Sequence, residues 1–220
     1  MVTAKNISLS YEKNQDIIQN SSFYIEDKEF IIITGTSGSG KSTLLKSFYG
    51  KLAINKGSLI INGMDITEKK YQKTLDIRQD MGIVFQDYKL IQDYTIEENI
   101  AAPLKIKEID EKVIKTQVKN LLNHIQLSHK AHLYPNQLSG GEQQRVSVAR
   151  ALGHNPKIIL ADEPTGNLDK YSATIVWDLL QNVNRQLGIT VVVATHKIPS
   201  NLEVHHRKYD INNGMLNEVS

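Results

Sequence analysis

Gly35-Thr36-Ser37-Gly38-Ser39-Gly40-Lys41-Ser42 follows the apolar run Phe30-Ile31-Ile32-Ile33, with Thr34 alone between them. A strand that opens into a G-x-x-x-x-G-K-[ST] loop and then becomes a helix is built to cradle phosphate. Gly35, Gly38 and Gly40 let the backbone take positive φ and turn its amides inward. The helix predicted from Lys41 through Leu44, Leu45 and Phe48 adds partial positive charge at the same point. Lys41 is then expected to reach the β and γ phosphates of a nucleotide and the Ser42 hydroxyl to ligate Mg²⁺. Thr36, Ser37, Ser39 and Thr43 complete the residues expected around the phosphates. A glycine-rich turn without a ligand is the plain alternative, but it leaves the strand, the lysine and the hydroxyl coincidental.

A second apolar run, Lys157-Ile158-Ile159-Leu160-Ala161, ends in Asp162-Glu163. Carboxylates at the carboxyl edge of a parallel sheet stand where the nucleotide sites of α/β folds lie. Asp162 is expected to hold the metal, directly or through water, and Glu163 to polarise an attacking water as general base. Solvated acids at an ordinary strand end are the alternative.

A second glycine loop, Leu138-Ser139-Gly140-Gly141-Glu142-Gln143-Gln144-Arg145, lies far along the chain. One nucleotide cannot easily be held by both loops of a single chain. Read alone, Ser139-Gly140-Gly141 could be a helix N-cap before a helix Glu142 to Leu152, whose Val146, Ala149 and Leu152 fit a buried stripe.

Taken together, these residues resemble the ATP-binding-cassette ATPases, over nearly the whole chain. The resemblance implies that Leu138 to Arg145 is that family's signature loop. In the family this loop meets the γ-phosphate of ATP held by the opposite subunit, so two ATP are sandwiched between two head-to-tail copies. It further implies that Tyr11 stacks on adenine and that Gln86 touches Mg²⁺ and the attacking water while sensing a membrane partner. His196 is implied to contact the γ-phosphate, and Asp169 to sit in the loop linking the two sites across the dimer. Each has a plainer reading from the residues alone: an exposed strand-end Tyr, an edge-strand Gln, a structural strand-end His, and an Asp capping the helix that begins before Tyr171 and Ser172.

Composition sets limits. With 220 residues, 40% hydrophobic and 23% charged, the chain is long enough for a full core and fits one α/β domain over residues 1–220. A net charge of +2 with interspersed signs lends no support to nucleic-acid binding. The absence of cysteine excludes disulfides and thiolate metal sites. No secretory leader opens the sequence and no apolar run approaches membrane-spanning length, so neither crossing a membrane nor export by that route is expected; the family resemblance implies the cytoplasmic face of the cell membrane, reached through a partner.

The expected architecture is α/β: a phosphate-loop, RecA-like parallel sheet, an N-terminal antiparallel β layer, and a helical signature subdomain at about residues 88–152. Val2 to Leu9, Phe23 to Ile25 and Ser58 to Ile61, turning at Asn62-Gly63, supply the β layer. Short helices are expected around Thr95 to Ala101, then a break at Pro103 and a helix from about Asp110 to Leu127. The stripe Ile114, Val118, Leu121, Leu122 and Ile125 of that helix suits a core. The alternating charges of Lys105 to Lys119 suit a solvated face, and His205-His206 reads as surface histidines. Lys208 to Glu218 reads as a hairpin around Asn212-Asn213-Gly214, expected to leave no room for a further regulatory domain.

Two stretches resemble one group within the family. Ala161-Asp162-Glu163-Pro164-Thr165-Gly166-Asn167-Leu168-Asp169 is similar to the cell-division, lipoprotein-release and macrolide-efflux ATPases, the FtsE, LolD and MacB group, whose permeases transmit force across the membrane. Phe85-Gln86-Asp87-Tyr88-Lys89-Leu90 looks most like the cell-division branch. Lys197 after His196, where many relatives have Asp, and Lys28-Glu29 depart from the group pattern. The implied partners are a second copy of the chain and an FtsX-like integral membrane protein; lipoprotein release or drug efflux is the alternative.

Overall fold

β-Branched and other apolar side chains fill positions 30–33, 158–161 and 190–194. In the computed structural model, which describes residues 1–12, 15–68, 71–200 and 202–219, these runs become the middle of a six-stranded sheet. In chain order the strands are β1 (Val2–Leu9), β2 (Ile18–Ile25), β3 (Phe30–Gly35), β4 (Lys56–Ile61), β5 (Met64–Asp65), β6 (Met81–Val84), β7 (Ile158–Asp162), β8 (Thr190–Ala194), β9 (Arg207–Asn212) and β10 (Met215–Val219). The helices are α1 (Lys41–Phe48), α2 (Tyr71–Gln79), α3 (Ile96–Ile106), α4 (Glu111–His124), α5 (Gly140–Leu152) and α6 (Lys170–Leu187). The large sheet runs β10-β9-β3-β8-β7-β6, parallel throughout except for β10, which closes a hairpin on β9. A separate antiparallel sheet runs β2-β1-β4-β5.

Parallel strands need crossover connections, so both faces of their sheet become covered and side chains of both parities must be apolar. Ile31, Ile33, Ile158, Leu160, Val192 and Ala194 pack toward Leu44, Leu45 and Phe48 of α1 and toward Val2, Ile7, Phe23 and Leu59 of the small sheet. Phe30, Ile32, Ile159, Ala161, Val191 and Val193 pack toward α5 and α6 through Val148, Val176, Trp177 and Leu180. Burying each valine, leucine, isoleucine or phenylalanine among them contributes about 1.5–3 kcal/mol. Between them the two layers fix the height at which β3, β6, β7 and β8 end.

A third cluster joins α3, α4 and α5 through Ile96, Ile100, Leu104, Ile114, Val118, Leu122, Val146 and Ala149. Helix α5 therefore serves two cores: Val148 and Ala151 face the sheet, Val146 and Ala149 face α3 and α4. Ile114, Val118 and Leu122 of the predicted stripe are buried, and Leu121 is half-buried.

The expected break at Pro103 does not occur. One helix, α3, runs through it, and Lys107 N–H resumes the pattern by donating to Pro103 O at 3.3 Å. Proline removes the bond to Asn99 O and crowds that turn; burial of Ile96, Ile100 and Leu104 against the third cluster outweighs that cost. Helix α5 starts at Gly140, two residues before the expected Glu142, because Ser139 caps it. Helix α4 ends at His124, short of Leu127. Helix α2 has no counterpart in the sequence expectations: among its described side chains Thr74 and Ile77 are the buried ones, too few to set a period.

His154, after α5, carries a testable consequence. Its Nε2 donates to Met81 O at 3.1 Å, and its buried Nδ1 has no hydrogen-bond partner among the described residues. Burial, aided by the Lys107 charge, pushes the imidazole below its ordinary 6.5. A histidine kept neutral in the folded state loses stability as pH falls through the unfolded value, because the unfolded chain takes up a proton that the folded chain refuses. Between pH 7.5 and 5.5, wild type is expected to lose up to about 1 kcal/mol more than His154→Gln in urea unfolding. Equal losses would remove His154 from the account.

Candidate active site

The carboxyl ends of β3, β6, β7 and β8 are adjacent in the sheet, and the segments leaving them meet around a cleft of about 470 Å³. Ser37, Gly38, Gly40, Lys41, Ser42, Thr43, Gln86, Glu163 and His196 line it. Sequence positions as far apart as 37 and 196 thus converge because parallel strands all end on one edge.

The loop after β3 needs its glycines for two reasons. Gly35 has φ 146, and a Cβ there would lie 2.8 Å from Ile211 O and 2.5 Å from Ser39 Oγ. Gly40 caps α1 with φ 108 and offers no side chain to the first-turn amides, which leaves those donors for an anion. Lys41 is 6% exposed. Its Nζ donates to Gly35 O at 2.9 Å and Thr36 O at 3.0 Å, and stands 3.7 Å from Glu163 Oε1.

Ser42 Oγ donates to Asp162 Oδ1 at 2.7 Å. Burial pushes the Asp162 carboxyl above the usual range, against the Ser42 hydroxyl that donates to it, and the neighbouring Glu163 pushes it further. A desolvated carboxylate beside a hydroxyl is a hard, all-oxygen donor pair. It suits Mg²⁺, which takes one or two protein carboxylates and completes its shell with water and phosphate. Among the described residues no cluster of three or more His, Cys, Asp or Glu could hold a metal without such help.

Glu163 has φ 46, a left-handed conformation that is costly for a residue with a Cβ and that gathers at functional sites. Its amide donates to Ala194 O at 2.8 Å. Oε2 accepts from His196 Nδ1 at 2.9 Å, Thr195 Oγ1 at 3.2 Å and His196 N at 3.4 Å. A carboxylate acceptor fixes the hydrogen on Nδ1 and leaves Nε2 available. Thr195 belongs to this site although the sequence offered only a strand end. Asn167 was equally hidden: its Oδ1 accepts from Gln86 Nε2 at 3.4 Å, and its Nδ2 donates to Gln86 O at 3.4 Å.

The other predicted residues lie outside this cleft. Tyr11, 56% exposed, accepts from Lys46 Nζ at 3.0 Å beside α1. Ser139 caps α5, accepting from Glu142 N at 3.3 Å, while the Glu142 carboxylate accepts from Ser139 N at 3.0 Å. Asp169 caps α6, accepting from Ser172 N at 3.0 Å and Ser172 Oγ at 2.7 Å. The two caps are neighbours, for a Cβ on Gly141 would come within 2.4 Å of Ser172 Oγ, and one on Gly140 within 2.8 Å of Tyr88 Oη. Arg150, at the far end of α5, donates to Lys89 O at 2.6 Å and Tyr88 O at 2.8 Å. Segment 86–90, with Tyr88 and Lys89 both at positive φ, is thereby tied to the carboxyl end of α5, and its Tyr88 hydroxyl lies beside Gly140 at the amino end.

A family model described as ABC transporter matches residues 18–166. The chain is 38% identical over 98% of its length, and 94% of the relative's, to the cell division ATP-binding protein FtsE of Streptococcus pneumoniae serotype 2 (strain D39 / NCTC 7466). It is 41% identical to the ABC transporter ATP-binding protein YtrE of Bacillus subtilis (strain 168), over 93% of this chain and 89% of that one. The dimeric, post-hydrolysis structure of the ATP-binding cassette MJ0796 bound to ADP and Pi matches with a TM-score of 0.90 and 35% identity, covering 100% of this chain and 98% of that one. With a family model spanning well over half of its residues, the chain belongs to the ABC transporter family, as one of its ATPases.

Proposed function

We propose that this ATPase works as a head-to-tail dimer around two Mg-ATP and drives a separate FtsX-like membrane protein that controls cell-wall hydrolysis in division. The observation that carries the reading is that the two glycine loops stand in two separate places on one chain. The loop 35–43 shares a cleft with Glu163 and His196, whereas the capped turn Ser139-Gly140-Gly141 stands apart from it. In a two-fold pair each copy's turn would cover the other's cleft, completing both sites at once. Similarity to a dimeric cassette bound to ADP and Pi supports the pairing, and similarity to FtsE supports the division role.

In this reading the chain is one domain over residues 1–220, seated on the cytoplasmic face of the membrane, with a helical subdomain at about 88–152. Lys41 leaves the carbonyls of Gly35 and Thr36 for the β and γ phosphates, joined by the amides of 36–43. Tyr11 stacks on adenine. Ser42, Asp162 and Gln86 would hold Mg²⁺, which when bound neutralises charge on the β and γ phosphates. Glu163, oriented by Thr195 and His196, takes a proton from water as its oxygen attacks the γ-phosphorus and the β–γ bridging oxygen departs with ADP. His196 Nε2 contacts the γ-phosphate, and Asp169, through Ser172, places the linking loop beside the partner's site. The membrane protein docks along Gln86 to Leu90, and because that segment is held on α5, its movement is shared with the Ser139 turn.

Purifying ATP-loaded Glu163→Gln protein with its native membranes tests the division role. An FtsX-like integral membrane protein is the expected companion. Similarity to YtrE, an ABC transporter ATP-binding protein, favours a second reading in which the partner is a transport permease; the motif resemblance makes lipoprotein release or drug efflux its form, and recovery of such a permease would replace the division role.

A further inference from the structure

Glu142 places a carboxylate on the turn that, in the reading above, receives phosphate. It accepts from Ser139 N at 3.0 Å and Ser139 Oγ at 3.2 Å through Oε2, so the charge is hydrogen-bonded to the turn itself. A negative group there suits the positive end of α5. It also opposes an incoming anion, and like charges brought together across an interface weaken association.

The other oxygen, Oε1, accepts from Lys130 Nζ at 2.6 Å. The pair is largely covered, with side-chain exposures of 28% for Lys130 and 17% for Glu142. Lys130 is not a loose surface charge: its amide donates to Leu127 O at 2.9 Å, and buried Leu127 donates to Leu122 O at 2.9 Å. The turn carrying it is thus moored to the third apolar cluster. The two contacts also differ in strength. At 2.6 Å the ammonium makes a strong charge-assisted bond that offsets the carboxylate's charge, whereas 3.2 Å is long for a hydroxyl donating to an oxygen, so the Ser139 hydroxyl is held loosely. Lys130 and Ser139 together keep the Glu142 carboxyl below its ordinary range, against the effect of its burial.

We propose that Lys130 is a positioning residue for the half-site supplied in trans: it neutralises Glu142 and frees the Ser139 hydroxyl to turn toward the opposing copy's γ-phosphate. The proposal rests on the head-to-tail reading, and it makes this lysine necessary for closing the dimer while leaving nucleotide capture by the chain's own cleft unaffected.

The test uses Glu163→Gln protein with Mg-ATP, reading dimerisation by sedimentation and affinity of the separate monomer with a fluorescent ATP analogue. Adding Lys130→Met is expected to raise the dimer dissociation constant about tenfold per half-site, roughly a hundredfold for a two-fold dimer, with monomer affinity within about twofold. Adding Glu142→Gln as well should restore dimerisation, because glutamine keeps the cap and removes the charge. Glu142→Gln alone should dimerise at least as tightly as the parent, a result that does not depend on whether Lys130→Met folds. Undiminished dimerisation in a folded Lys130→Met, failure of the double variant to recover, or weakening by Glu142→Gln alone would each overturn the proposal while the pairing stands. A parent that stays monomeric with ATP would overturn the pairing itself, and this proposal with it.

Discussion

Glu163→Gln is expected to lower ATP turnover by about 10²–10⁴-fold, the usual contribution of a positioned general base. Nucleotide affinity should remain within about twofold, since the loop amides and Lys41 are untouched. The amide oxygen can keep the bonds that Thr195 Oγ1 and His196 Nδ1 make to Oε2, with its NH₂ on the Oε1 side, 3.7 Å from Lys41. Shape and orientation survive and basicity does not. Without hydrolysis the γ-phosphate stays in place, so the variant should accumulate as an ATP-dependent dimer in sedimentation or size-exclusion runs. Phosphate release at the wild-type rate would show that another group accepts the proton. His196→Ala serves as a control, because it removes one of the donors that orient the base.

Lys41→Ala is expected to weaken ATP binding by about 10²-fold, on the scale of two charge-assisted hydrogen bonds at about 1.5–3 kcal/mol each, partly offset by water taking their place. Titration calorimetry reads this directly. The same substitution removes the donors to Gly35 O and Thr36 O and the cation beside Glu163, so a modest stability loss of about 1–2 kcal/mol should accompany it. Stability and binding are separable: a thermal melt near wild type together with lost affinity assigns the lysine to the ligand. Unchanged affinity would remove Lys41 from the phosphate contacts, and the loop would then be a turn and nothing more.

Much of this molecule is written locally in its chain. Three apolar runs, stopping at Gly35, Asp162 and His196, read as strands of a parallel sheet buried on both faces, because such strands carry apolar side chains of both parities and here each ends at a polar or glycine position suited to a site. The glycine spacing before Lys41 likewise dictates a strand, a turn and a helix with free amides, for only that backbone uses positive φ at those positions. The hairpin at Asn213-Gly214 and the turn at Asn62-Gly63 are equally local, set by residues that accept left-handed conformations.

Long-range packing settled the rest. Pro103 reads as a helix breaker until the third apolar cluster stabilises the helix through it. Helix α2 has no periodic signal, since few of its residues face a core. Thr195 and Asn167 look like ordinary polar residues in one dimension; they join the site because β8 and the loop after β7 end beside Glu163 and Gln86. Lys130 and Arg150 are indistinguishable from other surface cations by spacing, and only folding brings one to the Glu142 carboxylate and the other to the carbonyls of Tyr88 and Lys89. Chain-local patterns report backbone geometry and which face is apolar, whereas hydrogen-bond partners distant in sequence depend on where strand ends and helix ends finally meet.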